Sequence, residues 1–478
     1  MTVREIVASV TSGQISARAV VDEALSRIDA ANPDLNAFID VNPDDACAQA
    51  EVVDRRIAAG ERLPLAGVPV AVKDNIWVAG RRVSQGSRLF ADFHPPADAI
   101  AVKRLRRSGA VIVGMANTSE FAAKGVTTNP LYGPTRHLMD PSLTPGGSSG
   151  GPVVAVAAGM VPLAIGTDAG GSSRRPPAHV GIVGFKPSFG AIPYGPGFAE
   201  PFVGLSVIAP MAATVDDVAV AFESLAGPDQ RDPDSIPVDP AANASKSALN
   251  NLKVAYSPRF GLDIPVDDDV AAAVERAVDE LIAAGCNVAR KDPVWPKEAS
   301  ETGLMPLQHA GLAAIYGEEF GRDSSVFDPD IAAQIERGLG LSGAEVADAQ
   351  ILSSRTASAL ADFFMEVDLL VGPTTPCVAW PLDRLGPKTI GGVEVTPRVH
   401  AAFTPLFNHA KVPALSLPCG LGRAGLPVGL QLIARRGRDR QVLEFARQAE
   451  AVLVDENDGA NSAQRGKSWE QSLELFSP

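Results

Sequence analysis

Two glycine- and serine-dense segments restrict the fold of this chain more than any other feature: Thr144-Pro145-Gly146-Gly147-Ser148-Ser149-Gly150-Gly151 and Gly166-Thr167-Asp168-Ala169-Gly170-Gly171-Ser172-Ser173-Arg174. Glycine at that density lets a backbone adopt positive φ and bring its N–H groups close to a ligand. The apolar run between them, Val153 to Ile165, is broken by Gly159 and Pro162 and is too short for a membrane span. Three chemistries use loops of this kind.

The first is phosphate binding. A P-loop requires G-x-x-x-x-G-K-[ST], but no Gly-Lys-Ser/Thr follows either segment, and Pro152 stands where a helix would have to continue. Neither segment has the G-x-G-x-x-G spacing of a dinucleotide site. The second is a Ser–His–Asp hydrolase, since Gly146-Gly147-Ser148-Ser149-Gly150 matches G-x-S-x-G. A nucleophile elbow sits between a strand and a helix, however, and Asp140-Pro141-Ser142-Leu143-Thr144-Pro145 makes a poor strand. Its base would have to be His309, His400 or His409, each isolated among apolar or loop residues. The third is a lysine-based serine hydrolase. Lysine acts as a base only when neutral, which requires burial or neighbouring positive charge. Lys73 ends the apolar strand pattern Val68-Pro69-Val70-Ala71-Val72, at the kind of strand end where active-site residues collect. A lysine after a strand is by itself an ordinary surface residue, so its weight comes from its company.

Around these segments, helix and strand patterns alternate. Apolar residues from Val3 to Ala30 recur at helical spacing with Ser16 as an N-cap, a second helix covers about Asp44 to Ala59, and a helical stretch Ile100–Ser108 feeds a strand at Ala110–Gly114. The alternation predicts a mixed or parallel sheet covered by helices. Beyond a Pro-, Asp-, Ser- and Asn-rich stretch at 226–250, strands are expected at Lys253–Tyr256, Asp368–Gly372 and Leu430–Ile433. Helices are expected at Val270–Ala284, near Glu298–Phe320, Ile331–Gly338 and Ala344–Met365, and at Gln441–Leu453. From residue 456 the chain is a polar tail.

Charge and composition exclude several classes. Against 56 Asp and Glu stand 42 Lys and Arg, for a formal charge of −14. Nucleic acid and anionic membranes call for clustered cations, and Arg104, Arg106 and Arg107, the densest patch, read as a solvated helix face. No signal-peptide pattern opens the chain. Cys47, Cys286, Cys377 and Cys419 are scattered and read as free thiols in a reducing compartment, so a cytoplasmic location is the default. Six histidines without H-E-x-x-H offer little for a metal site. Length alone suggests two or three domains.

The two segments, continued through Gly181-Ile182-Val183-Gly184-Phe185-Lys186-Pro187-Ser188, resemble the signature of the amidase signature family. The separation of the two serines, 24 positions (172 − 148), fits that pattern. Gly67–Asp74 resembles the family's lysine motif and Asn117-Thr118-Ser119-Glu120-Phe121 its N-x-x-E-F stretch. Pro405-Leu406-Phe407-Asn408, Pro413-Ala414 and Gly425–Gln431 are similar to its C-terminal motifs. The likeness runs from about residue 5 to 453.

The resemblance implies one α/β domain of 1–478 around a large twisted mixed sheet with helices on both sides, so the length-based expectation yields. Its parts are a helical arm (1–60), a catalytic core (61–225), a surface linker (226–250), the remaining core and pocket helices (251–455) and the tail (456–478). It implies Ser172 as nucleophile, Ser148 on a cis peptide as proton bridge and Lys73 as neutral base. Backbone N–H groups of Ala169, Gly170, Gly171 and Ser172 would form an oxyanion hole, such donors contributing roughly 3–4 kcal/mol each. Ser149 is assigned a supporting role. Asp168 and Arg174 are assigned structural hydrogen bonds or an ion pair.

Two departures stand out: Pro152 replaces a small residue, and Ser173-Arg174-Arg175-Pro176-Pro177 replaces Ile/Val-Arg-x-Pro-Ala. The S-N-L-x-R-[FY]-D-G run of the glutamine-hydrolysing component of tRNA-dependent amidotransferases is missing, the chain reading His309-Ala310-Gly311-Leu312-Ala313-Ala314-Ile315-Tyr316-Gly317. The expected function is therefore a free-standing amidase acting on small neutral or aromatic amides, with aryl amides, carbamates or esters within reach of the same acyl transfer. The alternatives are that glutaminase component of a tRNA-dependent amidotransferase, or a catalytically silent ligand-binding homologue. The expected partner is a small amide-type molecule; no cofactor, nucleic acid or membrane is called for, and monomer and homodimer stay equally open. Specificity is expected from Phe121–Tyr132, Met305–Tyr316 and Pro373–Leu382, with Phe121, Tyr132 and Trp380 as pocket aromatics.

Overall fold

The computed structural model describes residues 1–238 and 249–455; the rest of the expected linker and the whole of the expected tail lie outside the described residues. In chain order the strands are β1 (Phe38–Val41), β2 (Pro69–Lys73), β3 (Val111–Ala116), β4 (Leu163–Asp168), β5 (Val183–Lys186), β6 (Val207–Ala212), β7 (Lys253–Tyr256), β8 (Asn287–Arg290), β9 (Leu369–Pro373), β10 (Thr389–Ile390), β11 (Val393–Glu394), β12 (Ala414–Leu421) and β13 (Pro427–Ala434). The helices are α1 (Val3–Thr11), α2 (Ala17–Leu35), α3 (Pro43–Ala58), α4 (Ile100–Arg107), α5 (Gly150–Ala157), α6 (Arg175–Val180), α7 (Val215–Leu225), α8 (Asp268–Ala283), α9 (Glu301–Arg322), α10 (Pro329–Leu339), α11 (Gly343–Phe363), α12 (Pro405–His409) and α13 (Asp439–Asp455).

Eleven strands form one mixed sheet in the order β1-β3-β2-β4-β6-β5-β12-β13-β9-β7-β8, while β10 and β11 pair separately. Strands β3, β2 and β4 run parallel at one side, and β9, β7 and β8 at the other. The pairings between these groups are antiparallel. Every residue of β2, β3 and β4 is buried, as expected of Val-, Ile- and Ala-rich strands covered on both faces. The apolar core runs through Val70, Val72, Ile165, Leu415 and Leu432.

Local chemistry explains where elements start and stop. The expected arm holds two helices over 3–35 where the sequence pattern suggested one, since Gly13 turns at φ +72° and Ser16 then caps α2 by accepting from the Ala19 N–H. It also supplies a strand, β1, which pairs antiparallel with β3. Helix α3 begins with Asn42 as cap, Pro43 at its first position, and Asp44 and Asp45 in its first turn. The apolar run Val153–Ile165 divides at Gly159 (φ +69°) into the end of α5 and the start of β4. Pro152 does not stop α5, contrary to expectation: it is the third helical residue, where no intrahelical N–H bond is lost. Among the described residues, no helix is long and apolar enough to cross a membrane. All four cysteines are free.

The topology positions the site. Parallel neighbours β2 and β4 align Val72 with Ile165, so Lys73 and the pair Thr167–Asp168 emerge side by side at one sheet rim.

Candidate active site

Lys73 is the last residue of β2 and fully buried. Its Nζ donates to Ser148 Oγ at 2.8 Å and to Thr167 Oγ1 at 3.1 Å. Burial pushes this amine down to about 7; Asp168 opposes the shift and Arg175 adds to it. Ser148 follows a cis Gly147–Ser148 peptide just before α5, and its carbonyl accepts from Thr118 Oγ1 at 3.0 Å. Ser148 Oγ stands 3.0 Å from Ser172 Oγ, which also accepts the Ser148 N–H at 3.2 Å. Hydroxyl hydrogens rotate, so these contacts can run from Ser172 to Ser148 to a neutral Lys73 as readily as in reverse. The structure thus brings together the three residues singled out from sequence. Ser172 sits between β4 and α6, the strand–turn–helix setting that is lacking around Ser148.

The turn carrying Ser172 is built around one buried carboxylate. Asp168 accepts from the N–H groups of Gly171 (2.7 Å) and Ser173 (3.0 Å), from Ser173 Oγ (2.8 Å), from Arg174 Nε and a terminal nitrogen (both 3.0 Å), and from Asn408 Nδ2 (2.8 Å). Burial alone would raise its pKa, but the Arg174 guanidinium and these donors hold it well below the usual carboxylate range. Arg174, equally buried, also donates to the Thr404 carbonyl at 3.0 Å, Gln431 Oε1 at 2.8 Å and Asn408 Oδ1 at 2.5 Å. Both expected kinds of contact, loop-bracing hydrogen bonds and an ion pair, are present. The neighbouring Ser149 is buried, with Oγ 3.5 Å from the Thr167 carbonyl.

The expected set of four oxyanion donors changes in one member. Gly171 gives its N–H to Asp168, whereas Ala169, Gly170 and Ser172 line a cavity beside Ser172 Oγ and their N–H groups have no acceptor among the described residues. Gly171 is required where it stands: φ is +116°, and a Cβ there would lie 2.1 Å from Thr404 Oγ1. Thr404 in turn donates to the Gly170 carbonyl at 2.8 Å.

The pocket aromatics are a correction. Phe121, Tyr132 and Trp380 are not among the residues that line this cavity. Phe121 stacks on Tyr316 with centroids 3.9 Å apart, and Trp380 packs between His179 and His400 and donates to the Arg384 carbonyl. Tyr132 is half-buried, its ring facing the Arg82 guanidinium at 5.8 Å. Of the three expected specificity segments, the first contributes Ala122 to Gly125 and the second Met305, Leu307 and Gln308, while 373–382 contributes nothing to the lining.

Residues without an assigned role also converge here: Thr167 on the Lys73 amine, Thr404, Asn408 and Gln431 on the Asp168–Arg174 pair, and Arg175 in the cavity wall. Asn408 and Gln431 belonged to motifs noticed in the sequence, which was their only signal. Among the described residues, no histidine is a hydrogen-bond partner of Ser148 or Ser172. His409 lines the cavity, but its Nδ1 bonds Ser353 Oγ at 2.9 Å and burial lowers it to about 4. Among the described residues, no group of three or more His, Cys, Asp and Glu could hold a metal ion.

Comparison with known proteins shows what the whole chain is similar to. The amidase family model matches residues 19–443. One component of the glutamyl-tRNA(Gln) amidotransferase of Symbiobacterium thermophilum is 36% identical over 467 residues, covering 91% of this chain and 93% of that protein. An acylamidase from Rhodococcus erythropolis is 34% identical over 459 residues, 95% of each chain. Among solved structures, a bacterial aryl acylamidase of the amidase signature enzymes superposes with a TM-score of 0.85 at 27% identity, covering 95% of this chain and 96% of the other.

Proposed function

Since this chain belongs to the amidase family, whose members of this kind cleave amide bonds, we propose that it is a free-standing hydrolase of small amides working through an acyl-enzyme on Ser172. The observation that carries this reading is the unbroken path from Ser172 Oγ through Ser148 Oγ to a buried amine poised near neutral pH.

A serine hydroxyl is a weak nucleophile and needs a positioned base. Neutral Lys73 takes the Ser148 proton while Ser148 takes that of Ser172, and Ser172 Oγ attacks the amide carbon. The oxygen then carries negative charge beside the N–H groups of Ala169, Gly170 and Ser172. Ser148 returns a proton to the leaving nitrogen and is itself reprotonated by Lys73, the C–N bond breaks, and the amine departs. Water attacks the ester, giving its proton to the same relay, and Ser172 is regenerated with release of the acid. Esters differ in the leaving group and carbamates in the transferred acyl group as well, but the attack and the proton transfers are the same, so the machinery extends to both.

A panel of anilides, primary amides, carbamates and glutamine, run with wild type and Ser172→Ala, tests the reading. The variant is expected to lose all turnover while keeping its circular dichroism spectrum; full retained activity would end it. The likeness to an amidotransferase component keeps a second reading in view, that of a glutaminase working within a complex. Against it stand the missing S-N-L-x-R-[FY]-D-G run and a cavity lining without a carboxylate to receive the α-ammonium of glutamine. Glutamine hydrolysis that appears only with co-purified partner proteins would favour the complex.

A further inference from the structure

We infer that the preferred substrates are uncharged amides whose acyl part ends, beyond a short apolar spacer, in a second carboxamide, which the cavity beside Ser172 receives through Gln308 and His409. The inference rests on the amidase reading above and narrows its substrate class.

The cations of the cavity wall are already engaged: Lys124 pairs with Asp328 at 2.5 Å, and Arg175 and Arg398 have partners of their own in the protein. Two uncharged side chains of the wall have polar atoms to spare. Gln308 stands on α9 one turn after Leu304, and both line the cavity together with Met305 and Leu307. Its Nε2 donates to the Ala123 carbonyl at 3.1 Å and to Gln334 Oε1 at 2.6 Å. The first contact fixes which way the amide points, because a backbone carbonyl can only accept; turned over, Gln308 would set Oε1 against the Ala123 oxygen. Gln334 reaches the same carbonyl through its own Nε2 at 3.4 Å and is oriented likewise. Gln308 Oε1 is thus an acceptor with no donor among the described residues.

His409, on α12, supplies the complementary group. Its Nδ1 lies 2.9 Å from Ser353 Oγ, and this is the one hydrogen bond of the Ser353 side chain among the described residues. Ser353 is buried, so its hydroxyl proton needs an acceptor, and an unprotonated Nδ1 is the one at hand. The imidazole is neutral, burial having lowered it to about 4, and so carries its proton on Nε2, which has no partner among the described residues. One neutral acceptor and one neutral N–H donor match the N–H and C=O of a carboxamide. Leu304, Met305 and Leu307 supply apolar wall for the methylene spacer. A substrate without the second amide leaves both groups out of water and unpaired.

Three matched 4-nitroanilides separate the cases: those of glutaramic acid, of 5-oxohexanoic acid and of 5-methylhexanoic acid, which end in a carboxamide, a methyl ketone and an isopropyl group of similar shape. The ketone can accept from His409 but gives nothing to Gln308, and the isopropyl group meets neither. The full-length enzyme is expected to favour the carboxamide over the ketone by about tenfold in kcat/KM, and the ketone over the isopropyl anilide. A merely apolar cavity would give the reverse order, since the isopropyl end loses no hydrogen bonds on leaving water. Gln308→Met should bring the carboxamide-to-ketone ratio close to one, chiefly through KM. Because Gln308 also braces the Ala123 carbonyl, circular dichroism accompanies the variant, and the wild-type order decides the inference by itself. Equal or better turnover of the isopropyl anilide by wild type, or a carboxamide-to-ketone ratio that survives in folded Gln308→Met, would each overturn the inference while leaving the amidase reading intact. If none of the three anilides is cleaved, the amidase reading fails, and this inference fails with it.

Discussion

The Asp168–Arg174 pair offers a test whose size follows from the structure. Both side chains have no exposed surface, and each is the other's only opposite charge within ion-pair distance among the described residues. Asp168→Asn strands a buried guanidinium on the neutral acceptors Thr404, Asn408 and Gln431, and Arg174→Gln strands a buried carboxylate on Asn408 and the backbone of its own turn. Breaking one side of such a pair costs about 3–5 kcal/mol, because the remaining charge is uncompensated. Removing both charges avoids that penalty, so the double variant should be less destabilised than the two singles added together, by about 2 kcal/mol or more. Urea unfolding followed by tryptophan fluorescence reads this as a shift in midpoint at constant slope. The sign of the pH dependence is also set. A carboxylate held below its unfolded value of 3.8 gives its full contribution above that pH and loses it as pH falls toward the lower folded value. The Asp168→Asn penalty should therefore not fade between pH 8 and pH 5, and it should grow as Lys73 and Lys186, both near 7 and both raised by Asp168, take up protons. Strict additivity of the two variants, or a penalty that fades between pH 8 and 5, would refute the reasoning.

Two further outcomes follow from the same geometry. Because Lys73 must be uncharged to accept a proton and its pKa is lowered to about 7, kcat/KM should rise with pH through that value and fall to roughly a tenth of its plateau one unit below it. Lys73→Arg, which cannot deprotonate in this range, should lose at least about a hundredfold at every pH; a pH-independent rate in wild type would contradict the assignment. Gly171→Ala must place a methyl 2.1 Å from Thr404 Oγ1 at φ +116°. It should lower kcat by about tenfold or more and stability by more than about 1 kcal/mol, as read by steady-state kinetics and urea unfolding; a variant like wild type in both would show that the turn tolerates displacement.

How much of this was legible in the sequence depends on the range over which each signal acts. Strand patterning and glycine density drew notice to Lys73 and the two serine-bearing loops, the resemblance to the amidase signature assigned Lys73, Ser148 and Ser172 their roles, and the mixed, helix-covered sheet followed from alternation. The packing of Asn408 and Gln431 on Arg174 spans 234 and 257 positions, and nothing local to either residue indicates it. Phe121 and Trp380 were read as pocket residues because an aromatic side chain in a loop carries the same local pattern whether it faces a cavity or another ring. Tyr316 and the histidines beside Trp380 decide the matter, and only the tertiary structure places them there. Strand β1 is four residues long and β4 continues an apolar run that begins as a helix, so periodicity alone identified neither. The engaged N–H of Gly171 depends on the rotamer of Asp168, three residues earlier.

The central claim is that a neutral Lys73 activates Ser172 through Ser148. A fluorophosphonate probe mapped by peptide mass spectrometry tests it most directly. The expected result is a single adduct on Ser172 in the wild-type chain at pH 8 and none on a folded Lys73→Met variant over the same interval. An adduct on Ser148 or Ser149, or equal labelling of the two proteins, would contradict it.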